Sequence, residues 1–163
     1  MTLALNRIDD RLIHGQVVVG WGQPFDIRFI VLVDDDVAHS EWEQELYRMG
    51  TPPEMEVYFQ SIDAAVAALP AYREDPRPGI LLTGDVASML RLVSDAGVRD
   101  VNIGGIHHRV DRRQRLRYVF LSPDEERLLR QMVERGAHVT ARDVPGALPV
   151  DLDALLAADV IGA

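Results

Sequence analysis

The densest polar stretch of the chain, Arg7-Ile8-Asp9-Asp10-Arg11-Leu12-Ile13-His14-Gly15-Gln16, stands between Leu3-Ala4-Leu5 and the apolar run Val17-Val18-Val19. Its residue types suit phosphoryl transfer. An imidazole has an ordinary pKa of about 6.5, so near neutral pH most copies of His14 carry a free lone pair able to accept a phosphoryl group. Arg11 would neutralise the oxygens of that group, and phosphoryl transfer depends chiefly on such positioning and charge compensation. A helix starting at Gly15 would add unpaired N–H groups and a positive dipole end. A carboxylate from Asp9 or Asp10, accepting a hydrogen bond from one ring nitrogen, would fix the tautomer and free the other to attack. The sequence leaves open which aspartate does so. The competing reading is a solvated strand-to-helix turn whose charges only keep the loop in water.

Composition narrows the alternatives. A chain of 163 residues holds one domain with a sizeable core and is short for two, so residues 1–163 are read as one domain. No apolar run approaches the roughly 18 to 20 residues of a membrane span, and no secretory signal opens the chain, so a cytoplasmic address without membrane insertion is expected. Cysteine and lysine are both absent, which excludes thiol nucleophiles, disulfides, Schiff-base lysines and P-loop lysines. Any phosphate-binding cation must therefore be one of the 17 arginines, whose planar fork suits oxygen pairs. A net charge of −9 opposes binding to nucleic acid.

The elements that must position these residues read as alternating strands and helices. Strands are expected at Leu3–Ile8, Ile27–Val33, Glu56–Phe59, Ile80–Thr83, Val101–Ile103, Tyr118–Leu121 and His138–Arg142. Helices are expected over residues 15–22, Val37–Met49, Ile62–Leu69, from Val86 to near Gly97, from Ser122 to Gly136, and Asp151–Ala158. The segment Pro70–Pro78, rich in proline and charge, reads as a loop, and Arg109–Arg117 as a basic turn. Such alternation predicts an α/β fold: an open, mostly parallel, doubly wound sheet with helices on both faces. Ligands of these sheets gather at the carboxyl ends of strands. The His14 loop, Asp34-Asp35-Asp36, Thr83-Gly84-Asp85 and Gly104-Gly105-Ile106-His107-His108 would all lie on that rim.

The remaining clusters are weaker. Asp34-Asp35-Asp36 could hold magnesium as in a receiver domain, but the lysine such a site needs is missing, and helix N-capping suits the acids better. His107-His108 lacks a third ligand with metal spacing, so no metal site is expected, whereas one of the pair could line the phosphoryl site. His39 and His138 read as incidental. The arginines at 109, 112, 113, 115 and 117 are either a patch for an acidic partner or a solvated hairpin.

The segment from Arg7 to Val17 resembles the active-site loop of the IIB component of sugar phosphotransferase systems of the mannose, fructose and sorbose family. The resemblance continues through Val31-Leu32-Val33-Asp34-Asp35-Asp36-Val37-Ala38, Pro52-Pro53, Asn102-Ile103-Gly104-Gly105-Ile106-His107 and Asp143-Val144-Pro145. It implies a protein-Nπ-phosphohistidine–sugar phosphotransferase needing no cofactor, with His14 phosphorylated at Nδ1 by a IIA phosphohistidine. The group would then pass to a sugar held by membrane IIC and IID partners. It also implies Arg11 as the phosphate-binding arginine and Asp10 as its supporting acid; Gly15, at the helix start, is expected to bind the phosphate with them, and Asp9, Gln16 and His107 are candidates behind them. Asp34, where asparagine is expected, and the added His108 depart from the pattern. The chain starts directly at the IIB-like strand, so no fused IIA domain is expected. Rival readings are a IIB-like reporter of phosphorylation state and an unrelated α/β enzyme using His14 as acid or base. The identity of the sugar and any self-association stay open.

Overall fold

Strands covered on both faces have no polar side to alternate with, and the wholly buried runs Phe29–Val33 (β2) and Gly79–Thr83 (β4) mark the middle of the sheet. The structure, a computed structural model, describes residues 3–157. Around those two strands stand β1 (Leu3–Ile8), β3 (Glu56–Gln60), β5 (Asp100–Ile103), β8 (His138–Ala141) and β9 (Val150–Asp151), in the order β3-β2-β4-β1-β5-β8-β9. Every pairing is parallel except β8 with the edge strand β9. The fold is thus the mostly parallel α/β sheet expected.

Alternate residues feed two cores. Phe29, Val31 and Val33 of β2 belong to one cluster with buried residues of α3 (Ile62–Glu74), α4 (Val86–Ala96), α5 (Pro123–Glu134) and α6 (Leu152–Ala157). Ile30 and Leu32 meet a π-helical turn (Gln16–Trp21) and α1 (Asp35–Ala38), with α2 (Glu41–Met49) at its margin. Strands β6 (Arg113–Leu116) and β7 (Val119–Leu121) form a separate antiparallel pair. So Tyr118–Leu121 supplies a hairpin strand outside the main sheet.

Several boundaries differ from the sequence reading: β2 starts at Phe29 and not Ile27, and Arg113–Leu116 of the expected basic turn is strand β6. The helix expected over Val37–Met49 is two helices, because Asp34 caps Val37 N at 2.9 Å and Ser40 starts again by capping Glu43 N at 3.3 Å. Helix α3 continues through Pro70 to Glu74, where a loop was expected. Tyr72 explains the continuation: its ring stacks on Phe29 and its hydroxyl accepts from Gln60 Nε2 at 2.6 Å, tertiary contacts that outweigh the local cost of proline. The last helix starts at Leu152 because Asp151 is taken into β9; Ala158, its expected end, lies outside the described residues. The Ser122 start is as read, a full capping box with Glu125 behind Pro123.

Candidate functional site

Strand β1 lies between β4 and β5, so the loop that follows Ile8 emerges at the centre of the carboxyl-end rim. It is tied to both neighbours: Asp9 N donates to Thr83 O at 2.9 Å, Asp10 N to Gly105 O at 2.9 Å, and Gly104 N to Ile8 O at 2.7 Å. Leu12 turns the loop with φ +61, a left-handed conformation that costs an L-residue about 1–2 kcal/mol. Burial of its side chain beside Gly84 offsets that cost, and a Cβ on Gly84 would stand 2.9 Å from Leu12 Cδ2.

Arg7 follows Leu5 on the inward face of β1 and is wholly buried. Its guanidinium donates to Asp9 Oδ2 from Nε (3.3 Å) and Nη2 (3.1 Å). It also reaches Asn102 Oδ1 (2.7 Å), Gln16 Oε1 (3.0 Å), Arg142 O (3.0 Å) and Asp143 O (3.2 Å). The Trp21 ring centroid lies 5.4 Å from the guanidinium carbon, and the indole N–H donates to Asp143 O at 2.8 Å. Burial pulls the Arg7 pKa down from the ordinary arginine value, while Asp9 opposes the shift.

Asp9, also wholly buried, joins this cation to His14. Its Oδ2 accepts from His14 Nε2 at 2.9 Å and its Oδ1 from Arg11 N at 3.1 Å. Burial pushes the Asp9 carboxyl up, but the His14 hydrogen bond, the Arg7 charge and the Arg11 amide together outweigh it and hold the group below its usual range. An ionised carboxylate only accepts, so the imidazole proton sits on Nε2 and Nδ1 carries the lone pair. The His14 side chain is 16 % exposed, enough to be reached from the rim.

The other named residues divide. Arg11 is exposed and makes no side-chain ion pair among the described residues. Gly15 is exposed, and a Cβ there would meet nothing within 4 Å. Gln16 bonds Arg7 rather than His14. The helix expected over residues 15–22 is a six-residue π turn, Gln16–Trp21, whose Val17 and Val18 amides both turn back to His14 O, so a strong helix dipole does not form. Asp10, expected to support the phosphate, points to another network. It accepts from His107 N (2.8 Å) and His107 Nδ1 (2.5 Å), with Arg112 Nη1 at 3.8 Å. Arg112 in turn grips Glu125 with both arms of its fork, at 2.9 and 2.7 Å, and Arg115 does the same to Glu126 at 2.8 and 3.0 Å. Two of the five hairpin arginines thus hold the β6–β7 pair against α5, whereas Arg109 and Arg117 are exposed.

Arg7 and Gly104 stand in the matched segments, yet the motif alone gives neither of them a role. A Cβ at Gly104 would fall 2.3–2.6 Å from the Arg7 guanidinium atoms, so glycine is what lets that group lie against the backbone. Leu5, two residues before Arg7 on β1 and packed on the core, is the sequence clue to an inward arginine. Asp34 caps α1, and Asp35 Oδ1 accepts from Ile62 N at 2.8 Å. Among the described residues, no group of three or more histidine or acidic side chains could hold a metal ion. No helix of the described residues is long and apolar enough to cross a membrane.

Comparison with known proteins identifies the family of the chain. Residues 3–161 match the family described as PTS system sorbose subfamily IIB component. The chain is 34% identical over 148 residues to the sorbose-specific EIIB component of Klebsiella pneumoniae, with 88% of each chain covered. It is 31% identical over 149 residues to the N-acetylgalactosamine-specific phosphotransferase enzyme IIB component 1 of Escherichia coli, covering 88% of this chain and 92% of the other. The crystal structure of the IIBSor domain of the K. pneumoniae sorbose permease superposes with a TM-score of 0.86 at 31% identity, covering 98% of this chain and 100% of that one. The chain therefore belongs to the sorbose subfamily of IIB components of the sugar phosphotransferase system.

Proposed function

We propose that this IIB component carries a phosphoryl group on Nδ1 of His14, taken from a phosphohistidine of a IIA protein and delivered to a sugar held by membrane IIC and IID subunits. The carrying observation is the Asp9–His14 Nε2 hydrogen bond, which leaves Nδ1 as the nucleophile. In the first step the Nδ1 lone pair forms the new N–P bond while the donor N–P bond breaks, its electron pair returning to the donor ring. Nε2 keeps its proton on Asp9, which stabilises the positive charge the ring acquires. Arg11, with a side chain free of ion pairs among the described residues, meets the phosphoryl oxygens, and the open space at Gly15 admits them. In the second step a sugar hydroxyl attacks phosphorus, the Nδ1–P pair returns to the ring, and the hydroxyl proton is taken up on the acceptor side. Arg7 acts through Asp9, as a positioning residue. The work of accepting from one soluble protein and delivering to membrane subunits places the chain in the cytoplasm, without cofactor or metal.

Incubation with phosphorylated IIA, followed by mass-spectrometric mapping of acid-labile phosphate, tests the reading. Label is expected on His14, with phosphorus–nitrogen NMR coupling assigning it to Nδ1. Label retained by His14→Ala would overturn the assignment.

A further inference from the structure

Helix α2 is amphipathic with its apolar side outward. Trp42, Leu46 and Met49 follow the i, i+4, i+7 spacing of one helical face and are 71, 49 and 74 % exposed. The opposite face is the one that meets the protein: Gln44 Nε2 donates to Val37 O and Ala38 O, and the Tyr47 ring packs towards Phe59. No residue of the helix is buried. Single exposed apolar side chains are ordinary on a protein surface, but three large ones stacked along one helix face form a contiguous patch, the mark of an interaction site.

The charges around the patch say what kind of surface covers it. Glu41 and Glu45 flank it on one side and Glu43 on the other, exposed Asp35 and Asp36 precede the helix, and its one base, Arg48, lies over the Phe59 ring at 4.9 Å. Acidic flanks on a chain of net charge −9 are repelled by anionic lipid headgroups, so a bare bilayer fits poorly. A protein groove with apolar walls and a basic rim fits well. Membrane-embedded proteins present such rims, because their cytoplasmic loops are enriched in lysine and arginine.

We propose that the Trp42–Leu46–Met49 face of α2 docks this chain on the basic cytoplasmic loops of its membrane-embedded partner; this rests on the functional reading above. The site is well placed for that role. Helix α2 starts one short helix beyond the carboxyl end of β2, on the same rim as His14, and its Tyr47 packs on the core cluster that also holds Leu12 and Ile13. Because β4 separates β1 from β2, the docked face stands beside the His14 loop and not over it. The chain can stay attached through α2 while His14 is recharged.

The test uses the full chain carrying Trp42→Ser, Leu46→Ser and Met49→Ser together, exposed positions whose replacement leaves both cores intact. Sedimentation with proteoliposomes containing the IIC and IID subunits is expected to show binding of the wild type and binding weakened about ten-fold or more in the variant. In coupled sugar phosphorylation the KM for IIB rises while kcat and IIA-dependent labelling of His14 are kept. Equal sedimentation of the two proteins would overturn the proposal, as would α2-dependent binding to protein-free phosphatidylglycerol vesicles. A wild-type dimer that the substitutions dissociate would reassign the face to a second copy, and loss of the IIA step would reassign it to the donor. Failure of the underlying reading shows separately, as absence of phosphate from wild-type His14.

Discussion

Asp9 and Asp10 are neighbours in the chain, and each holds a histidine and faces an arginine, yet their surroundings make them opposites. Asp9 is wholly buried; its Oδ2 accepts from both Arg7 and His14, and its Oδ1 from the Arg11 amide. Asp10 is partly exposed and holds His107, itself 55 % exposed, while its arginine is committed to Glu125. They also hold their rings by opposite nitrogens, Nε2 of His14 and Nδ1 of His107. Burial is what turns a carboxylate into a positioning device: a water-free, fully bonded Asp9 has one geometry, whereas Asp10 fastens one loop to another at the edge of solvent.

The largest effect is expected from Asp9→Asn. The amide cannot balance the Arg7 charge, and breaking a buried ion pair by removing one partner costs about 3–5 kcal/mol. It also loses the enforced Nε2–H tautomer, so phosphoryl transfer should fall by roughly 10²–10⁴. Thermal melts and rapid-quench transfer from phosphorylated IIA measure the two. A pH series sharpens the attribution. Because the folded Asp9 carboxyl is held below its unfolded value near 3.8, its stabilisation is complete above that value and is lost as pH falls through the lower folded one. The stability gap between wild type and Asp9→Asn should therefore be full at neutral pH and close only in strong acid. A gap that does not narrow in acid would mean Asp9 acts by shape and not by charge.

Gly104→Ala should come next, since the added methyl would lie within 2.3–2.6 Å of the Arg7 guanidinium and force it off its acceptors. Overpacking of this kind costs about 1–3 kcal/mol, and transfer should slow with it because Asp9 loses its counter-charge. Gly105→Ala is the control one residue away: its nearest contacts, His107 Cε1 at 3.4 Å and Asp9 Oδ1 at 3.5 Å, can be accommodated, and stability should change by less than about 0.5 kcal/mol. Equal effects at the two glycines would remove the reason given for Gly104.

This contrast also marks what a sequence can and cannot convey. The His14 loop, the alternation of strands and helices, and the helix start at Ser122 were legible because they depend on residues within one or two turns of chain. Which aspartate turns inward was not. It is decided by Arg7, whose bond to Asn102 spans 95 residues, and by the Arg142 and Asp143 carbonyls from further still. The same limit hid the ion pairs from Arg112 and Arg115 to α5 and the ring contacts that carry α3 through Pro70.

Asp10→Asn separates the two networks. The substitution weakens a partly exposed contact and leaves the Arg112–Glu125 fork in place, so stability should fall by no more than about 1–1.5 kcal/mol. Transfer should fall by less than about ten-fold, an indirect effect of loosening the loop that carries His107. A loss matching that of Asp9→Asn would show that Asp10 meets the phosphoryl group after all and that the two carboxylates are not opposites.

Gly15→Ala is expected to stabilise the fold slightly and is the most telling about the phosphoryl group itself. Gly15 has φ −52 and ψ −39, which alanine adopts freely, and a Cβ would find open space. Restricting the unfolded chain at such a position stabilises by about 0.4–1 kcal/mol. Neither packing nor backbone conformation therefore explains glycine beside His14. If the space is where the phosphoryl oxygens pass, a methyl group there should slow transfer while the melting temperature holds or rises. Asp9→Asn and Gly104→Ala, by contrast, should lower stability and transfer together. Unchanged transfer in Gly15→Ala would move the phosphoryl path to another side of the ring, leaving Asp9 as the fixed point from which to look for it.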